Sequence, residues 1–105
     1  MIEYYSEEAR LAIEALPVGI RASYARLTEL LEEFGLDLHL PYSRAMGSGL
    51  FELRPRGKEG SARVFYCTKV GKKIIVLHSF VKKTQKTPKR ELETARKRQR
   101  EVSES

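Results

Sequence analysis

The sequence has a single cysteine, Cys67, which excludes an intrachain disulfide and a cysteine-rich zinc site. No apolar run approaches the roughly 18–20 residues of a membrane span, so no membrane association is expected. The N-terminal MIEYYSEEAR has neither the basic stretch nor the apolar stretch of a secretory signal, which predicts a cytoplasmic protein. The glycine-rich phosphate loop, the dinucleotide-binding glycine motif and the zinc-protease histidine pair are all missing. The two histidines, His39 and His78, stand too far apart in sequence to suggest a metal site, so no metal or cofactor is expected. Acid pairs fall on predicted helix surfaces, where solvation accounts for them. Cys67 lies mid-strand, a position that suits packing better than a nucleophilic pair with His78.

What remains fits one domain over residues 1–105, with 41% hydrophobic and 32% charged residues, the profile of a folded chain. The net charge of +6 is unevenly spread. Residues 1–48 hold four arginines and eight acids, giving −4, and residues 49–105 hold 16 Lys plus Arg and six acids, giving +10. A basic field confined to one half attracts polyanions, of which RNA and DNA are the commonest.

The hydrophobic pattern predicts the order (β)ααβββα. Met1–Tyr5 is read as a short strand. Ser6 caps a helix with Ala9, Ile13 and Leu16 on its inner face. After Pro17 a second helix runs from Val18 to Phe34, where Ile20, Tyr24, Leu27, Leu31 and Phe34 form one buried stripe ending at Gly35. Gly35 to Gly49 reads as a loop. Three strands follow, Leu50–Arg54, Ala62–Lys69 and Lys73–Val81, with turns at Arg56–Gly60 and Gly71. The apolar run in the third strand suggests a central position. Thr87 and Pro88 open a last helix to about Val102, with Leu92 and Ala95 inward and Lys97, Arg98 and Arg100 on a solvated, frayed basic end. The expected class is α+β: an antiparallel sheet, two N-terminal helices on one face, a C-terminal helix, and a second face left partly open.

In this arrangement Arg54, Arg63 and Lys82 or Lys83 converge at one sheet edge, with Arg56, Gln85, Lys86 and Lys89 nearby. Guanidinium groups bind phosphate through paired hydrogen bonds, and lysine acts as a compact charge. Tyr66, Phe65 and His78 are candidates to stack on an unpaired base. Strand-end cations also keep sheet edges soluble, a reading that fits Arg63 less well because apolar residues flank it. For His78, within IIVLHSFV, a structural hydrogen-bonded role competes with chemistry.

The segments LFELRPRGKEGSARVFYC and IIVLHSFVKKTQKTPKRELETA resemble the RelE/HigB-type toxins of bacterial toxin–antitoxin systems, nearest to their phage-derived, HigB-like branch. The resemblance covers about residues 18–101, and KKTQKTP, Lys82–Pro88, is its most specific part. It implies a RelE-like fold. It also implies an endoribonuclease that cleaves mRNA, usually on the ribosome, by attack of a 2′-OH on the adjacent phosphate without metal or cofactor. By the same resemblance Arg54 and Arg63 clamp phosphate and Lys83 stabilises the transition state or donates a proton. Lys82 and Lys86 then bind RNA backbone, with Arg56, Tyr66 and Lys89 beside them. RelE itself has lysines where Leu50 and Glu52 stand here, and a tyrosine in its last helix, whereas this chain has none after Tyr66. Those proton-transfer roles therefore do not carry over, and His78 and Tyr66 become candidates. Glu52 is expected to orient Arg54 or Arg63 rather than to act as a base. The resemblance further implies a cognate antitoxin, of the helix-turn-helix, HigA-like kind, docked on either the acidic first half or the basic face. Two rivals share the sequence features: a ParE-like toxin that inhibits DNA gyrase by protein binding, and a non-catalytic nucleic-acid-binding module. Convergent phosphate-binding charges favour the nuclease over the gyrase inhibitor, and the KKTQKTP element favours the nuclease reading.

Overall fold

A computed structural model describes residues 1–69, 73–83 and 86–104. Gly71 of the last hairpin turn, and Thr84 and Gln85 of the KKTQKTP stretch, lie outside the described residues. Among the described residues, six strands and three α-helices follow in the order β1 (Ile2–Tyr4), α1 (Glu7–Glu14), α2 (Val18–Phe34), β2 (Ser43–Gly47), β3 (Leu50–Leu53), β4 (Arg56–Gly57), β5 (Gly60–Lys69), β6 (Lys73–Lys82) and α3 (Lys89–Glu104). The strands lie in the order β1-β6-β5-β3-β2, and β4 pairs with β5. The α+β class holds, but the sheet is mixed: β1 runs parallel to β6, pairing Ile2 with Ile74 and Tyr4 with Val76. Two helices intervene between β1 and the rest of the sheet, and that long connection permits the parallel entry.

The helices start and stop where side-chain chemistry directs. Ser6 Oγ accepts from Ala9 N at 3.1 Å and caps α1. Pro17 gives α2 no such cap, and Glu59, from the turn after β4, supplies it from a distance by accepting from Gly19 N at 2.9 Å. That bond holds the Glu59 carboxyl below its ordinary value. Gly35 ends α2 with a φ of 57°.

Two cores form, one on each face of the sheet. Ile13, Leu16, Ile20, Tyr24, Leu27 and Leu31 of the N-terminal helices pack on Leu53, Val64, Tyr66 and Val76. Phe34, expected to extend this stripe, is exposed. The second face is closed rather than open: Ala95, Leu92 and Val102 of α3 cover Leu50, Phe65, Cys67, Ile75 and Leu77. An apolar face of this size has to be covered, and α3 is the element with an apolar stripe to cover it.

Two further expectations are corrected. Part of the loop read over Gly35–Gly49 is a strand, β2, joined to β3 by a turn at Gly47, Ser48 and Gly49 with φ of 93°, 52° and 80°. The basic end of α3 is not wholly solvated. Arg96 donates to the carbonyls of Gly47 and Met46, both at 2.8 Å, and Gln99 donates to Ser48 O at 2.7 Å. Arg98 donates to Leu77 O at 2.7 Å and lies 4.9 Å over the Tyr5 ring. Leu77 is the extra residue of a bulge in β6, since Phe65 faces His78 and Tyr66 faces Val76. Arg98 thereby partners a carbonyl at the point where the ladder is broken.

β4 passes so close to α2 that a Cβ on Gly57 would lie 2.5 Å from Gly19 C and 2.6 Å from Ile20 N. Gly57→Ala is therefore expected to lower the unfolding free energy by about 1–3 kcal/mol. The reading is a reduced urea midpoint at unchanged slope. A midpoint equal to wild type would show that the strand and helix part without cost.

Candidate nucleic-acid interface

β3, β5 and β6 bring Glu52, Arg63 and Lys82 to the α3-side face of the sheet. Glu52 pairs across to Phe65, which shares its face with Arg63 two residues away. Arg63 pairs with Phe80, and Ser61 with both Lys82 and Arg56. These registers set cations from three strands side by side. The result is a cleft of about 620 Å3 lined by Pro41, Arg54, Arg56, Ser61, Arg63, Lys82 and Lys83. The structure thus brings together Arg54, Arg56, Arg63, Lys82 and Lys83, five of the residues singled out in the sequence.

Beneath the cleft lies a carboxylate. Glu52 is 2% exposed, with Oε1 3.5 Å from Arg63 Nε and 3.9 Å from Arg54 Nε. Thr87 donates its hydroxyl to Glu52 Oε2 at 3.2 Å. Thr87 was expected to open the last helix, but its side chain is turned to the floor of the cleft instead. Glu52 thus ion-pairs with both arginines, where the sequence suggested one or the other. Arg63 is 5% exposed and donates to Ala62 O at 2.9 Å. Its Nε has no hydrogen-bond partner among the described residues. A buried, under-satisfied guanidinium is costly, and it persists where a ligand or a charge network uses it.

The cations act on one another. Burial pushes the Arg63 pKa down, the neighbouring Arg54 and Arg56 push it further, and Glu52 opposes them. Lys82 is lowered from the ordinary lysine value by burial first, then by Arg63, with Arg54 and Arg44 adding and Glu52 opposing. Arg44 is a residue that sequence reasoning missed. It stands opposite Glu52 on β2, so its side chain leaves the sheet on the cleft face. The glycine-serine-glycine turn was the signal for that hairpin.

Other expected residues are placed elsewhere. Tyr66 is 1% exposed in the core under the N-terminal helices, and its hydroxyl lies 2.6 Å from Ser43 Oγ, so it does not face the cleft and is not positioned to touch RNA. Phe65 is fully buried. His78 lies on the cleft side but outside the cleft lining; its Nε2 is 2.6 Å from Glu91 Oε1 and its ring is parallel to Phe65. Lys86 and Lys89 are exposed beyond the cleft, and Lys89 pairs with Glu93 at 3.9 Å. Among the described residues no three His, Cys, Asp or Glu come together as metal ligands, and no helix is long and apolar enough to cross a membrane.

The family model of the phage derived protein Gp49-like (DUF891) proteins matches residues 12–100. No curated protein matches the chain.

Arg63→Ala leaves Glu52 buried with a weaker set of partners and is expected to cost about 3 kcal/mol or more. Lys83→Ala, at an exposed cation, is expected to stay within about 0.5 kcal/mol. Thermal unfolding of the two variants beside wild type makes the comparison. Equal, small losses would show that Glu52 does not depend on Arg63.

Proposed function

This chain belongs to the Gp49-like family, a RelE/HigB-like family of toxins associated with toxin–antitoxin systems, and from that membership we propose that it is an mRNA endoribonuclease acting on the ribosome. The family implies an antitoxin partner. The observation that carries the nuclease reading is the convergence of five cations on one cleft over a buried carboxylate. A gyrase inhibitor acting by protein contact has no need of such a phosphate-sized concentration of positive charge.

Cleavage would proceed by attack of an RNA 2′-oxygen on the adjacent phosphorus. The 2′-OH proton passes to a base, the bond to the 5′-oxygen breaks, and that oxygen takes a proton. The products are a 2′,3′-cyclic phosphate and a 5′-OH. Arg54 and Arg63 would hold the nonbridging oxygens as charge grows on them. Lys82, whose burial and arginine neighbours favour its neutral form, suits the base. Lys83, exposed and lining the same cleft, suits the acid or the stabiliser of the leaving oxygen. Arg44, Arg56, Lys86 and Lys89 would track the RNA backbone, and His78, held by Glu91, would position the start of α3 rather than transfer a proton.

Induced expression of wild type beside Lys83→Ala, with primer extension on an abundant mRNA, tests this. Wild type is expected to arrest growth and create new mRNA 5′ ends, and Lys83→Ala to reduce cleavage about 100-fold. Because lysine is a base only when neutral, the cleavage rate is expected to rise with pH through a value below the ordinary lysine pKa of about 10.4. Lys82→Arg is expected to remove that rise. Growth arrest with intact mRNA would replace the nuclease by the gyrase-directed reading.

A further inference from the structure

Two of the large apolar side chains left in solvent are chain neighbours of a residue that lines the same cleft. Leu40 is 58% exposed and Tyr42 is 45% exposed, and Pro41 between them lines the cleft wall. Isolated surface apolar residues need no explanation, but neighbours in tandem against a cationic site do.

The segment is held in place. Tyr42 N and Ser43 N donate to His39 O at 3.1 and 3.2 Å, closing a turn. Tyr42 O accepts from Arg54 N at 2.9 Å, one residue beyond the Ser43–Leu53 pair that ends the β2–β3 ladder. Ser43 is buried and anchored on the Tyr66 hydroxyl. Tyr42 therefore stands beside Arg54, on a hydrogen-bonded turn, with its side chain half-exposed. An aromatic ring next to phosphate-binding cations has the composition of a single-strand binding site, in which cations follow the backbone and rings take the bases. Of the rings expected to stack from sequence, Phe65 and Tyr66 are buried, and His78 is held by Glu91 outside the cleft lining, which leaves that role open.

We propose that Pro41 and Tyr42 form a nucleobase wall, on which one unpaired base of single-stranded RNA stacks while its phosphate lies against Arg54. This rests on the nuclease reading and adds to it the contact that distinguishes a base-bearing strand from a bare polyanion. The wall selects unpaired RNA, because a base within a duplex has no free face to offer.

The test is binding of a fluorescent, non-cleavable 2′-O-methyl RNA octamer and of its fully abasic counterpart, over a salt series. Wild type is expected to prefer the base-bearing strand. Tyr42→Ala is expected to weaken that strand roughly 5- to 150-fold while leaving the abasic one unchanged, and Tyr42→Phe to bind as wild type. The salt slope is expected to hold in Tyr42→Ala and to fall by about one in Arg56→Ala. Unchanged thermal unfolding of Tyr42→Ala separates lost stacking from lost structure. If Tyr42→Ala keeps the full base preference, the wall is overturned and the exposed pair is a protein contact. If wild type cleaves mRNA yet binds both strands alike, the wall fails and the nuclease stands. If wild type neither binds nor cleaves RNA, both fail.

Discussion

A single buried carboxylate makes the cationic cleft possible. Without Glu52, the guanidinium groups of Arg54 and Arg63 would face each other across a water-poor floor with nothing to offset their repulsion. With it, the floor carries one negative charge under several positive ones. The cleft stays net positive at its surface and still folds. The balance is unequal by construction: Arg63 is closer to the carboxylate and buried, whereas Lys83 is exposed. Buried and exposed cations are thus divided by depth.

The last helix converts this local balance into a fixed shape. Thr87 reaches Glu52 just before α3 begins, and Glu91 in its first turn reaches His78. Further along, Arg96 and Gln99 grip the turn between β2 and β3, and Arg98 grips the bulge in β6. Both walls of the cleft are therefore tied to one rod, so β3 and β6 cannot move apart without breaking side-chain bonds to α3. The helix's many basic residues divide between those with carbonyl partners and those in solvent, which is why its charge alone describes it poorly.

Much of this was legible in the sequence where the period of side chains decides structure. The stripe from Ile20 to Leu31 found its helix, and the strands around Val64 and Ile75 found their places. Convergence of Arg54, Arg63 and Lys83 followed from antiparallel strand order alone. What was hidden depended on pairing at a distance. β2 was hidden because Arg44 and Ala45 look like loop residues until Glu52 and Phe51 stand across from them. Tyr66 was misread because one step of alternation decides whether a ring faces core or cleft. Arg98 was misread because nothing in its neighbours announces an unpaired carbonyl on β6.

The edge strand β1 brings the order of synthesis into the structure. Ile2–Tyr4 precedes its ladder partner among the described residues, Ile74–Val76, by some seventy residues. Until then the growing chain carries the acidic helices without the sheet that they cover. Lys82 and Lys83 come later still, and Thr87 after them. During synthesis the acidic half consequently emerges before the strands of the positive cleft, and the long loop that sets β1 beside β6 can close only after β6 is made. The cationic cleft is in that sense withheld from the nascent protein by topology.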